Sequence, residues 1–274
     1  MKATILPLLL GGALLCAGAA RAADVAPPES PKVEEPKPDD AYIVTLQAIG
    51  GFAPSFPGSR ELSVYPFPGI NVRGVNEPER FTTPDDSFSL ALLDVSGFRA
   101  GPVGNFVFYR ESIPGVHQVA LTHEVGGFAE YGGAEHFRAR SELRQGVDGH
   151  KGFVASFGAD AYAGAQAITL SFGPRLSFGN NRYANAYYSV TPFESLASGG
   201  KLEPYQATGG FTAAGGMATL RYDFTPSLSA TAYGGLQRLT GSVGSSPIPN
   251  VIGSRDQFSA GLSISRSFEV QKFW

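Results

Sequence analysis

Cysteine is nearly absent from this 274-residue chain. Cys16 is the only one, which excludes the disulfide framework that staples small secreted folds. Beyond the first twenty residues no run approaches the roughly eighteen consecutive apolar residues of a membrane-crossing helix. There is no excess of positive charge either: 21 Lys and Arg stand against 24 Asp and Glu, with no basic stripe to track a phosphate backbone, so nucleic acid is not an expected partner. His117, His123 and His136 fall at no metal-ligand spacing, and no Walker-type glycine loop occurs. No cofactor and no metal are expected.

The N-terminus reads as an address. Lys2 supplies a positive start, Ile5 to Ala19 an apolar stretch too short for a comfortable bilayer crossing, and Ala20-Arg21-Ala22 a small-x-small cleavage site. A secretory signal peptide over 1–22, cut after Ala22, is expected. Pro7, Gly11 and Gly12 argue against an uncleaved helix, and Leu15 stands before Cys16 where lipoprotein processing wants a small residue. Residues 23–40 are acidic and proline-rich, with Asp24, Glu29, Glu34, Glu35, Asp39 and Asp40 against Lys32 and Lys37. That composition suits a disordered, semi-extended spacer. A chain that leaves the cytoplasm without disulfides needs a large core or a closed sheet.

What the sequence has in abundance points to the closed sheet. Gly (35), Phe (20) and Tyr (11) fit tight turns and aromatic girdles. From Gln257 to Phe268 apolar residues alternate with Ser, Gln or Gly, so Phe258, Ala260, Leu262, Ile264 and Phe268 share one face and the polar residues the other. The same period recurs in about twelve candidate strands: 42–51, 61–73, 79–83, 87–95, 98–109, 122–131, 136–145, 151–162, 167–179, 211–224, 227–239 and 256–268. Read back from the C-terminus, tight turns (225–226, 163–166, 132–135, 96–97, 74–78) alternate with mostly longer connections (240–255, 181–210, 146–150, 110–121, 52–60). Only the gap between 83 and 87 breaks the trend. The pattern predicts an all-β, antiparallel transmembrane barrel of 41–274 with periplasmic termini, its last strand closing the sheet, in the outer membrane. Outer-membrane lipid and the barrel-assembly machinery are then expected partners.

Charge marks the lumen side. Phe137, Ala139 and Leu143 would face lipid, and Arg138, Arg140, Glu142 and Arg144 would face inward beside Glu124 and Glu130, with Arg175 inward on another strand. Arg or Lys at the bilayer midplane costs about 2–4 kcal/mol on the lipid face. These residues could form an arginine ring that selects solutes, or a salt-bridge network that fills a narrow barrel. The longest connection, 181–210, contains Thr191-Pro192-Phe193-Glu194, a capping box that predicts a short helix through Ser195, Leu196 and Ala197 ending at Gly199-Gly200. Asp148-Gly149-His150 could be imagined in a nucleophilic relay, but a polar turn explains it as well, because relay groups must converge in space.

Phe98-Arg99-Ala100-Gly101-Pro102-Val103, Arg138-Ala139-Arg140-Ser141-Glu142-Leu143-Arg144-Gln145, Leu170-Ser171-Phe172-Gly173-Pro174-Arg175-Leu176 and Tyr187-Tyr188-Ser189-Val190-Thr191-Pro192 resemble segments of the MipA/OmpV family of outer-membrane proteins. Ser246-Pro247-Ile248 and Gly253 to Leu262 resemble its final loop and strand. The resemblance spans roughly Tyr42 to Phe268. It implies a non-enzymatic scaffold that brings a murein-degrading lytic transglycosylase together with a bifunctional murein synthase. Other members are linked to adhesion or antibiotic responses, and a small-solute channel is the alternative. The family has no agreed site residues to transfer. Two features depart from it: Glu269 to Trp274 run past the usual terminal phenylalanine, and the acidic spacer precedes the barrel.

Overall fold

The structure, a computed structural model, describes residues 41–110, 115–133 and 136–271. The expected signal peptide, the acidic spacer and residues 272–274 lie outside the described residues. Twelve strands form one sheet: β1 (Ala41–Pro54), β2 (Leu62–Gly74), β3 (Phe88–Ser89), β4 (Leu93–Val95), β5 (Phe98–Val107) and β6 (Thr122–Gly132) come first. β7 (Phe137–Gly146), β8 (Phe153–Ala165), β9 (Ile168–Gly179), β10 (Gly210–Thr225), β11 (Leu228–Leu239) and β12 (Asp256–Gln271) follow. Three short helices, α1 (Asn181–Tyr188), α2 (Pro192–Ala197) and α3 (Gly241–Ser245), and a π-helical turn (Ile248–Ile252) lie in the long connections.

Every ladder among the described residues is antiparallel, and β12 pairs with β1 from Phe52↔Ala260 to Ala41↔Gln271, joining the first strand to the last. The outward faces are the expected ones: Phe137, Leu143, Leu170, Phe172, Leu262 and Ile264 are exposed and apolar. That is how a barrel solvated by lipid must look. β12 extends three residues beyond Phe268, and Glu269, Val270 and Gln271 are paired with Ile43, Tyr42 and Ala41. The departure at the C-terminus thus lengthens the closing ladder.

One expected strand is not in the wall. Residues 79–83 form no strand, and 87–95 is broken into β3 and β4, which lie end to end against β5. The sheet therefore has eleven staves, ordered from β2 through β1 and β12 round to β5 and β3. Counting alternating directions along that order, β2 and β3 run the same way, so no antiparallel ladder can close the last gap. Residues 75–87 pass inside the barrel instead. The reason is visible in their charges: as a stave, one face would carry Glu79 and Asp85 and the other Arg80 and Asp86. Either choice puts charge into hydrocarbon.

The dehydrated core sits above the sheet. Ala184, Tyr187 and Tyr188 of α1 pack with Val119, Ala207, Ala213, Leu239 and Val243, and a second cluster joins Val116, Val190, Leu202 and Ile248. Loops 55–61 and 181–209, the described residues of 108–121 and the α3 region thereby merge into a folded cap at the end of the barrel opposite the start of β1 and the end of β12.

Candidate functional site

β7 presents Arg138, Arg140, Glu142 and Arg144 to the lumen because alternate residues of a strand share a face. β6, paired to it with Glu130 opposite Arg140, adds Glu124 and Glu130. Arg138, only 1% exposed, lies 2.8 Å from Glu130 and 2.7 Å from Asp86. Arg140 Nη1 reaches Glu130 at 3.1 Å and its Nε reaches Glu142 at 2.7 Å, with the guanidinium over the Phe128 ring at 4.1 Å. Arg144 Nε bonds Glu124 at 2.8 Å, and its Nη1 also bonds Glu142. Arg175 of β9 lies 2.7 Å from Asp85 and 2.9 Å from Asp160. All seven residues singled out from the sequence lie on this inner face, and each arginine has carboxylate partners. Asp85, Asp86 and Asp160 complete the network, and alternation in the sequence gave no hint that the first two would enter it.

Asp85 and Asp86 belong to the inward-folded segment. It starts at the terminal end, where Phe81 N–H donates to Gly133 O at 2.9 Å and Arg80 to Gly132 O at 3.1 Å. Phe81 then stacks on Tyr162 with centroids 4.3 Å apart. Asp86 accepts from Thr83 N and Oγ1 at 3.0 Å, and Ser87 donates to Glu142 at 2.7 Å. The segment therefore crosses the lower lumen from the terminal rim to mid-barrel, bonded to β7 and β9 and stacked on β8 along the way. A polar cavity of about 210 Å³ remains beside it. A second, of about 400 Å³, lies above it and under the cap.

The cap is held by buried polar contacts. Thr191 Oγ1 accepts from Glu194 N at 3.2 Å while Glu194 Oε2 accepts from Thr191 N at 2.8 Å, completing the capping box of α2, with Pro192 at its first turn. Gly199 (φ +71°) and Gly200 (φ +76°) end it in the left-handed region that favours glycine. Glu194 also accepts from the backbone and ring nitrogens of His117 at 2.8 and 2.6 Å. Burial alone would raise its carboxyl, but these three donors and the Thr191 hydroxyl, which donates to it at 2.8 Å, hold it down to about 2. Arg110, fully buried, donates to Tyr187 O at 2.8 Å and His117 O at 2.7 Å. Burial lowers its guanidinium to about 10 against the opposing pull of Tyr187, Glu194 and Tyr188. Sequence reasoning found α2 but not α1, whose N-cap Asn180 accepts from Tyr183 N at 3.1 Å.

Asp148 and His150 do not come together as a relay. Asp148 pairs with the exposed His123 at 2.8 Å. His150 is buried, its Nδ1 accepting from Gly152 N–H at 2.9 Å and its Nε2 bonding Glu124 at 3.0 Å. Both ring nitrogens are engaged, so the ring is a strut between loop and lumen network. Gly146 leaves it room, since a Cβ there would lie 2.6 Å from the imidazole. Among the described residues no cluster could hold a metal ion.

The architecture resembles other outer-membrane barrels of known structure at low identity. The COG4313 outer membrane channel from Pseudomonas putida F1 aligns with 10% identity and a TM-score of 0.43, covering 88% of this chain and all of that one. The N-terminal β-barrel domain of Pseudomonas aeruginosa OprF aligns with 12% identity and a TM-score of 0.30, covering 82% and 97%. OprG from the same organism aligns with 9% identity and a TM-score of 0.23, covering 84% and 97%. No curated protein matches the sequence. The model of the family described as MltA-interacting protein MipA matches residues 46–268, from the sixth rung of the closing ladder to the phenylalanine where the extended tail begins. With its lipid-facing barrel wall, this chain is an outer-membrane β-barrel protein that belongs to the MipA family.

Proposed function

We propose that the protein is a non-enzymatic, non-conducting barrel that acts through its periplasmic face, as a scaffold between a murein-degrading lytic transglycosylase and a bifunctional murein synthase. The observation that carries this reading is the inward-folded segment: it crosses the lower lumen, tied by Asp85 to Arg175 and by Asp86 to Arg138. Above it, the cap's two apolar clusters cover the other mouth. Among the described residues this arrangement obstructs the lumen at both levels, which supports a role on the barrel's rim over solute passage. The family's description, naming an interaction with MltA, supports the kind of partner. In this reading the binding segments are drawn from the tight turns, the spacer 23–40 and the tail beyond Phe268. Secretion with cleavage after Ala22 and insertion by the barrel-assembly machinery complete the proposal.

The test is crosslinking in intact outer membranes, with captured proteins identified by mass spectrometry. Enrichment of a lytic transglycosylase or murein synthase over an unrelated barrel is the expected result. Recovery of the barrel-assembly machinery with neither enzyme enriched would overturn the scaffold reading. Lumen arginines such as Arg138, Arg140, Arg144 and Arg175 favour a second reading, a small-solute channel whose inward segment moves aside. Single-channel recording separates it from the first.

A further inference from the structure

The gap between β2 and β3 is a built feature of the wall. Val75 N–H donates to Ala41 O at 3.2 Å, so odd-numbered residues of β2 bond to β1 and even-numbered ones turn their amides toward the open edge. Pro66 and Pro68 are even-numbered, so two of the donors that would be needed to pair across the gap are missing. Aromatic rings stand there instead. Tyr65 lies against Phe108 with centroids 4.9 Å apart, Phe67 stacks on Phe88 at 4.7 Å, and Phe88 meets Phe106 edge-on at 6.2 Å. Ring contacts of this kind are individually weak, and side-chain rotation can part them, whereas a backbone ladder would have to break.

The gap opens onto a cavity. The 400 Å³ space under the cap is lined by Phe56, Tyr65, Phe108, Tyr188, Met217 and Leu239, a volume within the roughly 300–1,000 Å³ range of small-molecule pockets. Phe106 also borders it and is 44% exposed; as an even-numbered residue of β5 it shares the outward face of Phe98. That ring therefore touches the cavity and the membrane. Around the gap the outer surface is apolar, with Val64 and Ile70 on β2 and Leu90 and Leu92 beside β3 strongly exposed. The polar part of the lining settles the head group. Arg175 borders the cavity but is paired to both Asp85 and Asp160, so it offers an anion no unpaired charge. Gln237 makes one long bond, taking Ser177 Oγ at 3.4 Å, which leaves its amide hydrogens for a ligand oxygen.

We infer that the barrel binds a neutral single-chain amphiphile, an apolar tail with an uncharged oxygen-bearing head, taken sideways from the membrane through the β2–β3 gap. This stands apart from the scaffold reading, which concerns the periplasmic rim.

The experiment uses the protein purified from outer membranes and reconstituted in phosphatidylcholine vesicles with a photoreactive diazirine monoacylglycerol. Adducts are mapped by peptide mass spectrometry. Cavity adducts on Met217, Tyr188 or Leu239 are expected. The Met217→Trp variant should lower them by roughly tenfold while leaving adducts on the outward Leu220 unchanged, and Met217→Leu should keep them. In a Tyr65→Cys, Phe108→Cys variant, bridging the two thiols with a short reducible linker should abolish the cavity adducts and reduction should restore them. The wild-type map stands whether or not these variants fold. Adducts confined to outward-facing residues would overturn the proposal. Cavity adducts that persist with the gap bridged would overturn the sideways route. Equal labelling by a diazirine fatty acid in its anionic form would overturn the neutral head.

Discussion

Arg138 shows how much a single side chain contributes here. It is almost wholly buried and touches Glu130, Asp86 and Asp160. Removing one member of a buried ionic network leaves the others uncompensated, so Arg138→Ala should lower the unfolding free energy by roughly 3–5 kcal/mol. Arg238, 2.7 Å from Asp256 but more than half exposed, makes a pair of the same length. Its alanine variant should cost under about 1 kcal/mol because water screens it. Guanidinium titrations of both variants in detergent micelles compare the two directly. The inward direction of Arg138 was legible from Phe137 and Ala139 on either side of it. Its bond to Asp86 was not, because nothing local links residues 52 positions apart.

At the level of elements, the cap and the inward segment behave differently. The cap rests on Glu194, whose carboxyl is held at about 2 despite burial. A carboxylate with a lowered folded value stabilises above its ordinary unfolded value near 4.5 and loses that contribution as pH falls toward 2. Hydrogen-exchange protection of 181–209, corrected for the intrinsic pH dependence of amide exchange, should therefore fall between about pH 4.5 and 2, and in Glu194→Gln it should be lower at pH 7 and nearly flat with pH. Equal exchange in wild type and variant would remove Glu194 from the cap's support. α2 was legible because a capping box is a local four-residue signal. α1 was not, since Asn180 is a common loop residue and the helix is held by packing of Tyr187 and Tyr188. The inward segment was read as a strand over 79–83 on the rhythm of its neighbours, yet charges on both of its faces were already in the sequence.

For the whole molecule the question is whether the barrel conducts. If the inward segment closes the lumen, Asp85→Ala with Asp86→Ala should release it from Arg175, Arg138 and Arg140 and raise single-channel conductance above a silent wild type. Partner capture should not change. A wild type that conducts freely would instead favour the channel, and Arg140→Ala should then shift its ion selectivity, while unchanged conductance through that open pore would take Arg140 out of selectivity.

The membrane-facing wall follows from residue order alone, because a period of two separates lipid face from lumen face residue by residue and costs of about 2–4 kcal/mol per misplaced Arg or Lys enforce it. The family motifs and the α2 cap were likewise local. Only the tertiary structure decided that the wall has eleven staves, that residues 75–87 lie inside it and that the cap carries the dry core. Those outcomes depend on which distant strands become neighbours. The parity that leaves β2 and β3 pointing the same way exists only once the sheet has curled round.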